Sequence, residues 1–64
     1  MKYSKNELNI LKQAKINCKN KNIDEMRELY KINEITTQED CLYNSIIAQM
    51  IYNKYKELAK LRLN

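Results

Sequence analysis

Few groups in this sequence have nucleophilic, acid–base or metal-binding chemistry. They are two cysteines, Cys18 and Cys41, the carboxylate pairs Asp24/Glu28 and Glu39/Asp40, and a set of lysines and tyrosines, with no histidine. A thiol becomes a useful nucleophile only beside a base or a cation that favours the thiolate. The only cations that spacing places near either thiol are Lys15 and Lys19, beside Cys18. Both cysteines are therefore expected to be small buried hydrophobes. A structural zinc site needs four ligands, usually as two close pairs, and two thiols 23 positions apart supply neither pair. For the same reason a disulfide framework is not expected, and the thiols are read as reduced. The carboxylate pairs fall where the first turn of a helix favours anions, which accounts for them without acid–base catalysis. The chain also has no Gly and no Pro. A phosphate-cradling glycine loop, a nucleophile elbow and a dinucleotide fingerprint all need glycine at a positive φ or a close approach, so none is present in its usual form. The expectation is a protein without catalytic, cofactor or metal sites, and not an enzyme.

Binding chemistry has more to build on. Charge is segregated along the chain: residues 1–21 carry six Lys against one Glu, residues 22–53 two basic against six acidic side chains, and residues 54–64 four basic against one acidic. In an up-down-up bundle the end of the first helix approaches the later part of the third. Lys12, Lys15, Lys19, Lys54, Lys56 and Arg62 are then candidates for one positive field that displaces phosphate counterions, with Tyr52 or Tyr55 stacking on bases. The competing reading is a solvated surface, because a net charge of +4 is ordinary for solubility and Lys at helix ends compensates the dipole. A helix-turn-helix over residues 24–48 is disfavoured. Its recognition helix would open on Glu39 and Asp40, placing carboxylates where phosphates and base edges are met.

These groups are positioned by three predicted helices, at about 4–19, 22–34 and 37–63, giving an all-α fold in which two short helices pack on one long C-terminal helix. Ser4 and Glu7 have capping-box spacing, with Tyr3 and Leu8 at the flanking apolar positions. Ile10, Leu11, Ala14 and Cys18 continue that stripe, Ile16 falls off it, and Asn20 suits a left-handed cap. Asn22 begins the second helix, with Asp24 and Glu25 in its first turn and Ile23, Met26, Leu29 and Tyr30 on its apolar face. Ile32 and Ile35 lie off that face and are expected to cover the turn into the third helix. Thr36 or Thr37 is the next cap, with Glu39 or Asp40 returning the bond.

The third helix is the spine. Ile47 and Ile51 mark its core face, Ile46 and Met50 lie to one side, and Ala48, Tyr52, Tyr55 and Ala59 lie to the other. A helix apolar over so much of its circumference is contacted from several sides. Two helices of half its length, side by side, cannot cover all of it. Tyr52, Tyr55, Leu58 and Leu61, with Leu63, are thus expected to face a second copy of the chain or another protein. A 64-residue chain also has a thin core and needs a staple, and with metal and disulfides set aside a partner chain is the one that remains.

Residues 1–6 lack the apolar core of a signal peptide and no stretch reaches the length of a membrane span, so a cytoplasmic location is expected. Half of the chain is Lys, Asn, Ile or Tyr, residues with A+T-rich codons, which points to a low-GC bacterium, a phage or another mobile element. The function expected from these features is a small macromolecule-binding protein: a protein-binding regulator, adaptor or inhibitor first, a nucleic-acid-binding accessory protein second, and a structural subunit of a larger assembly third.

Overall fold

The computed structural model describes residues 3–63, with Leu63 described by its backbone alone. They form α1 (Lys5–Cys18), α2 (Ile23–Ile32) and α3 (Gln38–Leu63), with no strand among the described residues. The expected all-helical architecture of two short helices on one long one is what is found, and α1 and α3 match their expected ranges to within a residue.

Each helix starts at a reciprocal cap. At α1 the Glu7 N–H donates to Ser4 Oγ at 3.2 Å, and the Ser4 N–H donates to Glu7 Oε1 at 2.8 Å. At α2, Asn22 and Glu25 exchange the same pair of bonds at 2.9 and 3.0 Å. At α3 the cap is Thr37, whose Oγ1 accepts from the Asp40 N–H at 3.0 Å. Asp40, not Glu39, returns the bond. Its Oδ2 accepts from the Thr37 N–H at 3.1 Å, and also from the Thr36 N–H at 3.0 Å and the Thr36 hydroxyl at 2.9 Å. One carboxylate oxygen thus satisfies donors that the start of a helix leaves orphaned.

The ends follow equally local chemistry. Beyond α1 the chain turns at Asn20, whose φ of 64° is the left-handed conformation that Asn tolerates best after Gly. α2 stops at Ile32, short of the expected residue 34, because Asn33 leaves the helix to serve a different purpose. With its backbone extended, its side-chain amide donates to Asn44 Oδ1 at 3.1 Å and to the Asp40 carbonyl at 3.4 Å. This polar tie corrects the expectation that Ile32 and Ile35 cover the turn, since both are largely exposed. The turn is held by Asn33, Thr36, Thr37 and Asp40 instead.

The helices run up, down and up. Asn6, Glu7 and Ile10 border the same depression as Gln38, Glu39 and Leu42, while Lys15 shares another with Gln49, Met50 and Asn53, so α1 is parallel to α3. Asn33 meets Asn44, while Arg27 and Tyr30 lie beside Ala48, Ile51 and Tyr55, so α2 is antiparallel to it. Both short helices therefore lie side by side against the first half of α3. Between them sits a small core of Ala14, Cys18, Met26 and Ile47, with Ile23, Leu29, Tyr43, Ile46, Met50 and Ile51 packed around it. Asn44 is buried and paired to Asn33, and the Asn17 side-chain amide donates to the Tyr43 hydroxyl at 2.8 Å, tying α1 to α3. No helix of the described residues is long and apolar enough to cross a membrane.

Ile47 has none of its surface exposed and touches both flanking helices' core residues. Replacing it with Ala is expected to cost about 2–5 kcal/mol in denaturant titration, a large share of the ~3–5 kcal/mol that so small a core supplies. A loss below about 0.5 kcal/mol would contradict its place at the centre.

Hydrogen bonds from the Thr36 N–H first, then from the Thr36 and Thr37 side chains, hold the Asp40 carboxyl below its ordinary range. The Ser4 N–H and hydroxyl do the same for Glu7. Where a folded-state carboxyl titrates lower than the unfolded one, the unfolded chain binds more protons, so stability falls as pH drops from the ordinary carboxylate range through the lowered values. The thermal midpoint is accordingly expected to decline with acid below about pH 4.5, and Asp40→Asn should remove part of that dependence. An unchanged acid limb in Asp40→Asn would show that the knot at Thr36 and Thr37 is not formed in solution.

Candidate interaction surface

Past Ile51 every residue of α3 through Arg62 is exposed. α1 ends at Cys18, α2 begins at Ile23, and the spine continues without them. Its apolar faces continue too. At 100° per residue Leu58 lies about 20° and Leu61 about 40° from the direction of Ile47, so the core stripe itself runs on into solvent. Tyr55 lies about 80° round, on the side where α2 packs. Tyr52 is 57% exposed, Tyr55 49%, Leu58 43% and Leu61 73%. The four sequence-predicted interface residues are thus all uncovered and share this end, while Leu63's side chain lies outside the described residues.

The uncovered stripe has shape as well as area. Arg27, Tyr30, Ala48, Ile51 and Tyr55 line one hollow at the α2–α3 junction, and Tyr55, Leu58, Ala59 and Arg62 line a second further along. Tyr55 borders both, with Arg27 in the inner one and Arg62 in the outer.

The dimensions carry the same message. The chain measures 40 × 28 × 16 Å, the long dimension being about the length of the 26-residue α3 alone. Its radius of gyration is 12.9 Å, against about 11 Å for a compact chain of this size. Its accessible surface is 5538 Å², against about 4,300 Å² for a compact monomer of 7.7 kDa. The uncovered end of α3 contributes to this excess, with exposed side chains such as Ile16, Ile32 and Ile35.

The basic residues fall into two groups. Lys15 shares a hollow with Asn53, one residue before Lys54, so the end of α1 and the outer part of α3 do meet there. Lys19, at the end of α1, and Lys54 lie toward the same end of the molecule and are exposed. Lys12, about 160° round α1 from buried Ala14, and Lys56, about 180° round α3 from Ile47, point to opposite outer faces. Lys56 instead lies over the ring of Tyr52, its Nζ 5.5 Å from the centroid. Among the described residues the one ion pair is Lys31 with Glu28 at 3.6 Å.

The thiols divide. Cys18 is buried, and its burial pushes the thiol up despite the nearby Lys21 charge, which makes it a packing residue. Cys41 corrects the expectation that both are buried. It is exposed, because it lies about 120° round α3 from Ile47, off the face on which the short helices pack. No group of three or more metal-ligating side chains comes together among the described residues. What sequence reasoning missed is the buried amide pair: Asn44 interrupts an apolar stretch on the α2-facing side of the spine, and that position was the available signal.

The lysines are surface charges in this arrangement. Changing Lys12, Lys15, Lys54 and Lys56 together to Gln should leave the helical circular dichroism intact and the thermal midpoint within about 5 °C of the parent. A fall beyond about 10 °C would mean that these side chains contribute packing through their stems.

No protein-family model matches this sequence, and searches of curated proteins and of solved structures found no match either.

Proposed function

We propose that this chain acts by binding another macromolecule without catalysis, as a protein-binding regulator, adaptor or inhibitor, through the uncovered end of α3. The observation that supports this is the continuation of the core stripe, with Leu58 and Leu61 exposed past the ends of α1 and α2 and Tyr55, half-exposed, at the edge of α2. Grouped aromatic and aliphatic side chains of this kind are the usual anchors of protein interfaces, and Lys54 and Arg62 can lay their stems along the flank with their charges in water. A mobile-element origin fits the composition and adds nothing to the mechanism.

A second reading, nucleic-acid binding, draws on Lys15 beside the outer half of α3 and on Lys56 over the exposed ring of Tyr52. Lysines and an exposed aromatic are the side chains on which single-stranded nucleic acid lays its phosphates and bases.

Affinity capture from a lysate of the source organism separates the two, using wild type and Leu58→Asp as bait with and without nuclease. The first reading expects specific proteins that persist after nuclease and are lost from Leu58→Asp. Leu58→Asp retaining the full wild-type set would sink it. Loss of all captured protein on nuclease treatment, together with salt-sensitive retention of DNA or RNA, would favour the second reading.

A further inference from the structure

We infer that the outer face of α1 docks on the anionic surface of a lipid bilayer, where the chain rests peripherally through its lysines and two aliphatic side chains. This goes beyond the protein-binding reading of the α3 end and does not depend on it.

Helical spacing defines the face. Measured from the direction of Lys12, Lys5 and the cap residue Lys19 lie within about 20°, Leu8 and Ile16 about 40° to either side, and Lys15 about 60° round. Lys5, Lys12 and Lys19 thus form a row along the axis with steps of about 10 Å. All four lysines are exposed, and among them Leu8 is 48% and Ile16 61% exposed. Neither aliphatic side chain belongs to the core, which α1 enters through Ala14 and Cys18 on its other side. Glu7, the one carboxylate of α1, lies about 140° round from Lys12 and is tied into the cap by Ser4. The outer face is therefore basic along its whole length, with no acid on it.

Charge says that the occupant is anionic, and composition says which anion. Acidic side chains gather elsewhere, on α2 and on the turn into α3, so the molecule is an electric dipole that turns α1 toward a negative surface. A phosphodiester strand would leave Leu8 and Ile16 desolvated against phosphates, and the face offers no aromatic ring for a base to stack upon. A protein interface favours Arg and aromatic side chains over Lys, whereas every cation on this face is Lys. A bilayer suits both components. The ammonium heads stay among the headgroups while the lysine stems and the two aliphatic side chains enter the acyl boundary. Clusters of about four or more such cations on a helix recognise anionic lipid, each raising partitioning about fivefold. Association of this kind is peripheral and needs no membrane-spanning helix.

Cosedimentation of the full chain with vesicles tests this, using phosphatidylcholine alone and with about 30% phosphatidylglycerol at about 0.1 M salt. Wild type is expected to bind the anionic vesicles at millimolar lipid and the neutral ones at least about 100-fold more weakly. Changing Lys5, Lys12 and Lys19 together to Gln should lower binding about 100-fold with the helical dichroism retained. Changing Lys31, Lys56 and Lys60 together to Gln alters the net charge equally and should lower it by less than about fivefold. The chain has no Trp, so Ile16→Trp supplies a single reporter at an exposed position. Its emission should shift to the blue on anionic vesicles, and that of Ile32→Trp, exposed at the end of α2, should not. A wild type that does not bind anionic vesicles, equal losses in the two triple variants, or an unshifted Ile16→Trp would overturn the inference. Retention of DNA or RNA in place of vesicles, lost when the α1 lysines are changed, would give the face to nucleic acid and overturn it likewise.

Discussion

The structure depends on a mismatch of lengths. A 26-residue helix is packed by helices of 14 and 10 residues that lie side by side, not in series. Side-by-side packing lets Ala14, Cys18 and Met26 converge on Ile47, the one large side chain with no exposure among the described residues. It also confines that convergence to the inner half of α3. A serial arrangement would have covered Leu58 and Leu61 but split the core into two thinner contacts. The concentrated core and the uncovered end are thus consequences of the same choice.

With so little apolar burial, polar ties take an unusual share of the work of holding the helices in register. Asn33 to Asn44 fixes the end of α2 on α3, Asn17 to Tyr43 joins α1 to α3, and the Asp40 carboxylate gathers Thr36 and Thr37 at the start of the spine. These bonds are directional, and a buried amide left without its partner costs more than a mismatched methyl. They specify how the short helices sit, whereas the hydrophobic contacts favour only that they sit somewhere. All of these named ties lie against the inner half of α3.

The uncovered surface follows from the same packing. The stripe that makes the core also supplies the exposed side chains beyond it, so that surface is an extension of the fold and not an addition to it. The buried Cys18 thiol is pushed up by its burial, and the Asp40 carboxylate is committed to the cap of α3.

The sequence by itself determined the three helices, because their starts rest on interactions spanning three residues. Ser4 with Glu7 and Asn22 in its cap position are readable without any tertiary contact, as is the tolerance of Asn20 for a left-handed turn. It also determined that α3 would be longer than its partners, from the absence of any breaker after Thr37, and that Ile47 would lie on the core face. Tertiary structure alone decided which of two adjacent groups acts: Asp40 rather than Glu39, and Thr37 as the cap with Thr36 as a second donor. It moved the end of α2 to Ile32 because Asn33 finds Asn44 eleven residues away, a partner that local propensity does not see. It left Ile32, Ile35 and Cys41 exposed, since whether an apolar side chain is buried depends on where the neighbouring helices end and not on its own hydrophobicity. For the same reason only the placement of α1 and α2 side by side could turn Tyr52, Tyr55, Leu58 and Leu61 from an apolar pattern into an uncovered surface.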